Sequence, residues 1–145
     1  WGAMTRSRCG PIHKIEGIMD QHAYVDIIKT VFLPYYRKLR SRKPIMQADN
    51  DPKHTSKTAK AFLSSKKIEV LQWPFQPPVF NPIEMPWIDV DKYVKQQKPK
   101  NLGDLWKCVQ EGWAAIPPER CQRLVDSMPR RCEAVIAAKG LPTKY

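Results

Sequence analysis

Residues 45–56, IMQADNDPKHTS, join a short apolar segment to a polar one. The first three residues predict a strand, and the polar residues after them predict a turn. Thr55 or Ser56 then suits the N-cap of a helix over 57–66. A strand that ends in a carboxylate places Asp49 at the edge of a sheet, where side chains from neighbouring strands converge.

Further strands and helices are predicted on both sides of this stretch. Residues 68–73 predict the clearest strand, which the prolines in 74–78 end. Upstream, 11–15 and 16–20 predict two short extended segments around a turn at Gly17. Apolar residues then recur at helical spacing over 22–39, a helix that Pro34 should kink or end.

The C-terminal third is predicted to be helical. Asn81-Pro82 suits the start of a helix that continues to Gln97, with Asn81 as N-cap. Two amphipathic helices follow over 102–116 and 121–128, and a last one over 131–139 ends at Gly140. Strands that alternate with helices favour an α/β domain.

Composition limits the class of protein. The chain has 145 residues, 42% of them hydrophobic, which fits one globular domain. We expect a soluble, unsecreted chain without a membrane partner, because no apolar run approaches the ~20 residues of a membrane-spanning helix. The four cysteines form no CxxC pair, so free intracellular thiols are expected.

The chain carries 25 Lys and Arg against 14 Asp and Glu, a formal net charge of +11. Basic side chains gain affinity for nucleic acid by releasing condensed counterions, so DNA or RNA is the first partner to consider. From charge alone, a basic surface that only keeps the protein soluble is an equal alternative.

Two carboxylates could do chemistry, Asp49 at a strand end and Glu84 near a helix start. Mg²⁺ prefers oxygen ligands, and two such ions can stabilise both oxygens of a phosphoryl displacement. The same residues also suit purely structural roles. Asp49 can satisfy backbone groups in a turn, and Glu84 can accept from the backbone N–H of Asn81 in a capping box. Spacing and composition alone favour these structural roles.

The motifs change that balance. The segment QADNDPKHTS (47–56), Trp73-Pro74 and Asn81-Pro82-Ile83-Glu84 with Trp87 resemble the catalytic core of the mariner superfamily of DDE transposases. The match is to the branch in which 34 residues separate the second Asp from the final Glu, and residues 50–83 are those 34 here. The beginning and the end of the chain are also similar to the family, from Trp1-Gly2 to Thr143-Lys144-Tyr145.

The resemblance implies an α/β, RNase H-like fold (integrase/transposase catalytic core) that lacks its first strand and carries C-terminal helices. Residues 1–145 would be a partial DDE transposase catalytic domain, with the RNase H-like core remnant in 1–97 and the helical part in 98–145. In the family, carboxylates bind two Mg²⁺ or Mn²⁺ ions, which activate water for DNA cleavage and then the freed 3′-hydroxyl for strand transfer.

Site residues follow from the same resemblance. Asp49 and Glu84 would be catalytic residues and metal ligands, whereas Asn50, Lys53 and His54 would lie beside the metal or contact DNA. A purely structural role for His54 is an equal alternative. DNA is the implied partner, a homodimer is compatible with the family, and nuclear localisation is expected, with the basic segment 37–43 in support.

Three departures from the family predict an inactive chain. The family's first catalytic Asp lies upstream of the Trp-Gly pair at which this chain begins, and neither Asp20 nor Asp26 can replace it. A Ser-Pro-Asp-Leu element of the family is replaced by residues 77–80, PPVF. Pro86 would cost about 3 kcal/mol inside a regular helix that began at Pro82 and would misdirect Glu84.

Two alternatives to a cleavage enzyme stay open. One is a catalytically dead, basic DNA-binding module from a decayed or domesticated transposon. The other is a fragment that does not fold stably, since loss of a central strand exposes sheet edge and apolar surface.

Overall fold

The computed structural model describes residues 1–39, 44–72, 80–139 and 141, which belong to two compact units. The first unit comprises Trp1–Gly2 and Pro11–Gln76, and the second comprises Ala3–Gly10 and Pro77–Tyr145. The prolines of the 74–78 loop and Gly140 lie outside the described residues, as do 40–43 of the basic segment.

The chain begins with a two-stranded hairpin, β1 (Gly2–Met4) and β2 (Cys9–Ile12). Backbone bonds join Trp1 and His13 in both directions at its base, at 2.8 and 3.0 Å. The strand predicted over 11–15 ends at Ile12 in the structure, and residues 16–20 do not form a strand. The reason is local, because Gly17 turns the chain with φ +72° and the residues after it lead into a helix cap.

The long helix of the first unit has three parts. Its α1 (Gln21–Ile27) is capped by the carboxylate of Asp20, a π-helical turn spans Ile28–Phe32, and α2 (Leu33–Lys38) follows. The π-helical turn lies directly before Pro34, which has no N–H with which to continue α-helical bonding. Five apolar residues of this helix are buried and belong to the core of the unit: Tyr24, Ile27, Ile28, Phe32 and Leu33.

Strands are predicted from sequence over 45–47 and 68–73, but the described residues of these segments form only one parallel bridge, between Met46 and Val70. Met46 N–H donates to Glu69 O and Leu71 N–H donates to Met46 O, both at 2.8 Å. Two short helices connect the bridged segments, α3 (Pro52–Thr55) and α4 (Lys57–Ser65). The predicted cap of α4 is confirmed, since Ser56 Oγ accepts from the N–H of Ala59 at 3.1 Å.

The described part of the second unit is helical apart from the tip of the hairpin. Its helices are α5 (Glu84–Gln97), α6 (Leu102–Ala114), α7 (Pro118–Asp126) and α8 (Met128–Ala137). Trp87 stacks on the buried Trp113 with ring centroids 4.6 Å apart, and Arg120 pairs with Asp89 at 2.9 Å. These contacts join α5 to α6 and to α7. The last helix begins three residues before its predicted start.

The hairpin tip packs on the helices of the second unit. Arg6 forms two bonds to the carboxylate of Asp126, at 2.7 and 2.9 Å. The indole N–H of Trp113 donates to Gly10 O at 2.9 Å. Sequence-distant residues thus hold the tip against α6 and α7. No helix of the described ranges is long and apolar enough to cross a membrane.

The end of α4 carries an unusual residue for its backbone geometry. Lys67 adopts φ +54°, the left-handed conformation that glycine prefers. Its N–H donates to Ser64 O at 2.9 Å and the next N–H, of Ile68, donates to Leu63 O at 3.0 Å. These two bonds are the Schellman pattern, and Leu63 and Ile68 are its buried apolar pair.

We expect Lys67→Gly to raise the free energy of unfolding by about 1 kcal/mol, because glycine removes the cost of the left-handed conformation. Urea denaturation of the purified chain measures the change. Lys60→Gly is the matched control: it removes the same charge inside α4 and should lower stability by a similar amount. Equal destabilisation by both substitutions would contradict the Schellman assignment.

Candidate metal centre

The carboxylate of Asp49 lies three residues after the bridge at Met46, where the apolar segment gives way to polar residues. Its side chain is 50% exposed. Oδ1 of Asp49 accepts from Nδ1 of His54 at 2.5 Å and from the N–H of Asp51 at 3.2 Å. Both bonds use the same oxygen of the carboxylate, Oδ1. The arrangement presents an oxygen ligand of the kind Mg²⁺ prefers.

His54 is held from its other side by an aromatic ring. Its imidazole is 15% exposed, and the ring centroid lies 4.2 Å from that of Tyr24, a buried residue of α1. Burial, and then the charges of Asp49 and Asp51, raise the pKa of Tyr24 above its ordinary value, so the phenol stays protonated at neutral pH. Nε2 of His54 is buried and has no hydrogen-bond partner among the described residues.

Asp51 and Lys53 form a separate pair beside Asp49. Asp51 caps α3, since its Oδ1 accepts from the N–H of Lys53 and its Oδ2 pairs with Lys53 Nζ, both at 2.8 Å. These hydrogen bonds from Lys53 lower the pKa of Asp51, which is therefore ionised at neutral pH. The ammonium of Lys53 is thus directed at the carboxylate of Asp51. Asn50, between the two Asp residues, is exposed.

Glu84 is in the second unit, at the first residue of α5. Its Oε1 accepts from the side-chain amide of Asn81 at 3.1 Å, and its N–H donates to Asn81 O at 3.2 Å. The capping box considered from sequence differs in its donor group: the side-chain amide of Asn81 donates to the Glu84 carboxylate. A carboxylate oriented by an amide suits metal coordination as well as a helix start.

The helix start at Pro82 predicted from sequence is wrong by two residues. Because α5 begins at Glu84, Pro86 is its third residue. The first four N–H groups of an α-helix have no acceptor within the helix, so a proline at this position loses no helical hydrogen bond. The first α-helical bond runs from Trp87 N–H to Ile83 O, at 3.3 Å. Pro86 is fully buried, so its ring serves as packing and the expected cost of about 3 kcal/mol does not arise.

The predicted site residues thus belong to both units, most of them to the first. The structure brings Asp49, His54, Asp51 and Lys53 together in the first unit, and it places Glu84 with Asn81 in the second. Within 1–39, 44–72, 80–139 and 141, no group of three or more His, Cys, Asp or Glu side chains is arranged to hold a metal ion. Of the altered loop 77–80, only Phe80 is described.

Three residues of these clusters were not identified from sequence as parts of the site. Tyr24 lies within the apolar spacing over 22–39, and no local signal shows that its ring contacts His54. Asp51 and Asn81 both precede proline, and an Asx residue before Pro predicts a helix N-cap. Applied to Asp51-Pro52, this signal would have identified α3.

The sequence matches a known protein family and is similar to known transposases. Residues 1–106 match the family described as DDE superfamily endonuclease. Over all 145 residues the chain is 40% identical to the Tcb2 transposase of Caenorhabditis briggsae and 37% identical to the Tc1 transposase of Caenorhabditis elegans. It spans 53% of the length of each, about half.

The fold is that of a solved relative. The catalytic domain of Mos1 transposase, determined with raltegravir and Mn, superposes with a TM-score of 0.84 at 20% identity, over 97% of this chain and 74% of that one. The predicted RNase H-like fold and the resemblance to mariner transposases are confirmed. Since the family match covers well over half of its residues, this chain belongs to the DDE superfamily endonucleases.

Proposed function

We propose that this chain is part of the catalytic domain of a DNA transposase, in which Asp49 and Glu84 are ligands of Mg²⁺ or Mn²⁺. The observation that carries the proposal is the carboxylate of Asp49, which His54 holds through one oxygen and whose side chain is half exposed. The family, whose relatives are transposases, supplies the reaction class: DNA cleavage followed by strand transfer.

The protein's own contribution is ligand placement. His54 limits rotation of Asp49, and the buried ring of Tyr24 limits movement of His54. Asn81 restrains Glu84 in the same way in the second unit. When bound, the divalent ions would supply a polarised phosphate and an activated water or 3′-hydroxyl. Asn50 is proposed to lie beside this site, and Lys53 to support it by fixing Asp51.

We further propose that these 145 residues alone carry out no transposition and at most weak nicking. They supply two of the three carboxylates that the triad needs, and ligand number and placement decide metal catalysis. A homodimer on DNA, in the nucleus, is part of the proposal for the transposase as a whole.

A second function, DNA binding without catalysis, is favoured by the surface of α4 and the turn that follows it. Residues 57–67 contain four lysines and no acidic residue. All four lysines are exposed, and none forms an ion pair with a described residue. Such a surface suits the phosphate backbone, which positions a protein on DNA without reading its sequence.

Asp49→Asn should weaken Mn²⁺ binding to the purified chain at least tenfold, because the substitution removes the charge of a ligand. Glu84→Gln should weaken it as well. Electron paramagnetic resonance of free Mn²⁺ measures the binding, and supercoiled plasmid with Mn²⁺ reports nicking in parallel. Asp26→Asn is the matched control, since it removes an exposed carboxylate of the first unit and should leave the Mn²⁺ affinity unchanged.

Two outcomes of that experiment would contradict the proposal. Equal Mn²⁺ affinities of the Asp49→Asn and Asp26→Asn variants would remove Asp49 from the metal site. Efficient nicking by the chain, abolished in Asp49→Asn, would show that its residues complete an active site and would overturn the proposed inactivity.

Replacing Lys57, Lys60 and Lys66 together by Gln should reduce the slope of log affinity for duplex DNA against log salt concentration by about three. Fluorescence anisotropy over a salt series measures the slope. The matched control replaces three lysines of the second unit, Lys92, Lys95 and Lys107, two of which lie near acidic residues on their own helices. Equal slopes for the two triple variants would exclude α4 as the DNA-binding surface.

A further inference from the structure

Two cysteines far apart in sequence meet in the second unit. Cys9 belongs to β2 at the tip of the hairpin, and Cys121 belongs to α7. Their sulfur atoms are 3.5 Å apart, although 112 positions separate them in the chain. The other two cysteines, Cys108 and Cys132, are partly buried.

We propose that Cys9 and Cys121 form a redox site, which a two-electron oxidant closes into a disulfide that ties the hairpin tip to α7. A disulfide needs sulfurs about 2.05 Å apart, so each has to move by less than about 1 Å. The backbone on both sides is already held in place. Arg6 pairs with Asp126 on α7, and Trp113 donates to Gly10, next to Cys9.

The surroundings decide which thiol reacts first. Cys121 is fully buried, whereas Cys9 is only partly buried and is the sulfur that a small oxidant can reach. Burial, with smaller contributions from Cys121 and Asp89, raises the pKa of Cys9 to about 12. Because the thiolate is the reactive form, Cys9 should stay reduced without a strong oxidant.

Hydrogen peroxide is an oxidant of the required class. The sulfur of Cys9 attacks one peroxide oxygen, so an S–O bond forms, the O–O bond breaks, and the thiol proton leaves with the second oxygen as water. The sulfur of Cys121 then attacks that of Cys9. The S–S bond forms as the S–O bond breaks, and the hydroxyl leaves as water with the proton of Cys121. Two thiols and one peroxide give one disulfide and two waters.

Peptide mapping tests the pairing directly, because trypsin cuts after Arg8, Lys14, Arg120 and Arg123. The full chain is reduced, treated with a small excess of hydrogen peroxide, alkylated and digested without reductant. We expect peptide 9–14 linked to peptide 121–123, with the link lost on reduction. The variant Cys108→Ser/Cys132→Ser keeps only the proposed pair and should form the same link, falling from two free thiols to none.

A stability readout confirms that the bond forms within the native fold. Closing a loop of this length should raise the midpoint of thermal unfolding of the oxidised double variant by roughly 10 °C. Adding Cys9→Ala to that variant leaves Cys121 untouched and should abolish both the link and the shift. Sulfinic acid at Cys9 with Cys121 still free, a link between two chains, or a link from Cys9 to Cys108 or Cys132 in the unsubstituted chain would each overturn the proposal.

Discussion

The hydrogen bond between His54 and Asp49 is the constraint that gives the first unit a defined carboxylate. Asp49 follows a segment held by one parallel bridge, and a single bridge does not fix the direction of a side chain three residues later. His54 supplies that restraint from α3, and the buried Tyr24 fixes His54 from α1. The position of one oxygen thus depends on the packing of the long helix, which begins at the cap formed by Asp20.

The second unit also restrains a carboxylate, that of Glu84, but it does so through the packing of helices. Glu84 is the first residue of α5, so the contacts that fix the axis of this helix also fix the backbone from which the Glu84 carboxylate extends. The stack of Trp87 on Trp113 and the pair between Asp89 and Arg120 provide this restraint from α6 and α7. Close packing is required, because a Cβ on Gly112 would lie 3.1 Å from the ring of Tyr93. Helices α6 and α7 therefore define the orientation of Glu84.

Sequence predicted the parts of this fold that depend on local signals. Apolar spacing identified the long helix of the first unit and α6, the Asn81-Pro82 pair indicated α5, and the cap at Ser56 was predicted correctly. The strands were overestimated, because β-branched and apolar runs such as 68–73 indicate burial but not the partner that makes a ladder. The start of α5 was misplaced because Asn81-Pro82 and Pro86 give conflicting signals, and backbone hydrogen bonding decides between them. Tyr24 beside His54 and Cys9 beside Cys121 come from tertiary packing, which no local pattern encodes.

The net charge of +11 and the two carboxylates have opposite effects on a DNA phosphate. In the proposed site, a carboxylate would repel the phosphate that it approaches, and a divalent ion would remove that repulsion only over a few ångströms. Lysines supply attraction over longer distances, within the ~10 Å that 0.1 M salt leaves unscreened. The lysines of 57–67, which form no ion pair within the described part of the chain, belong to the same unit as Asp49, whereas Lys53 pairs with Asp51. Because attraction to DNA does not require the metal, a chain that lost catalysis would keep DNA binding, and for this reason the two proposed functions are compatible with one sequence.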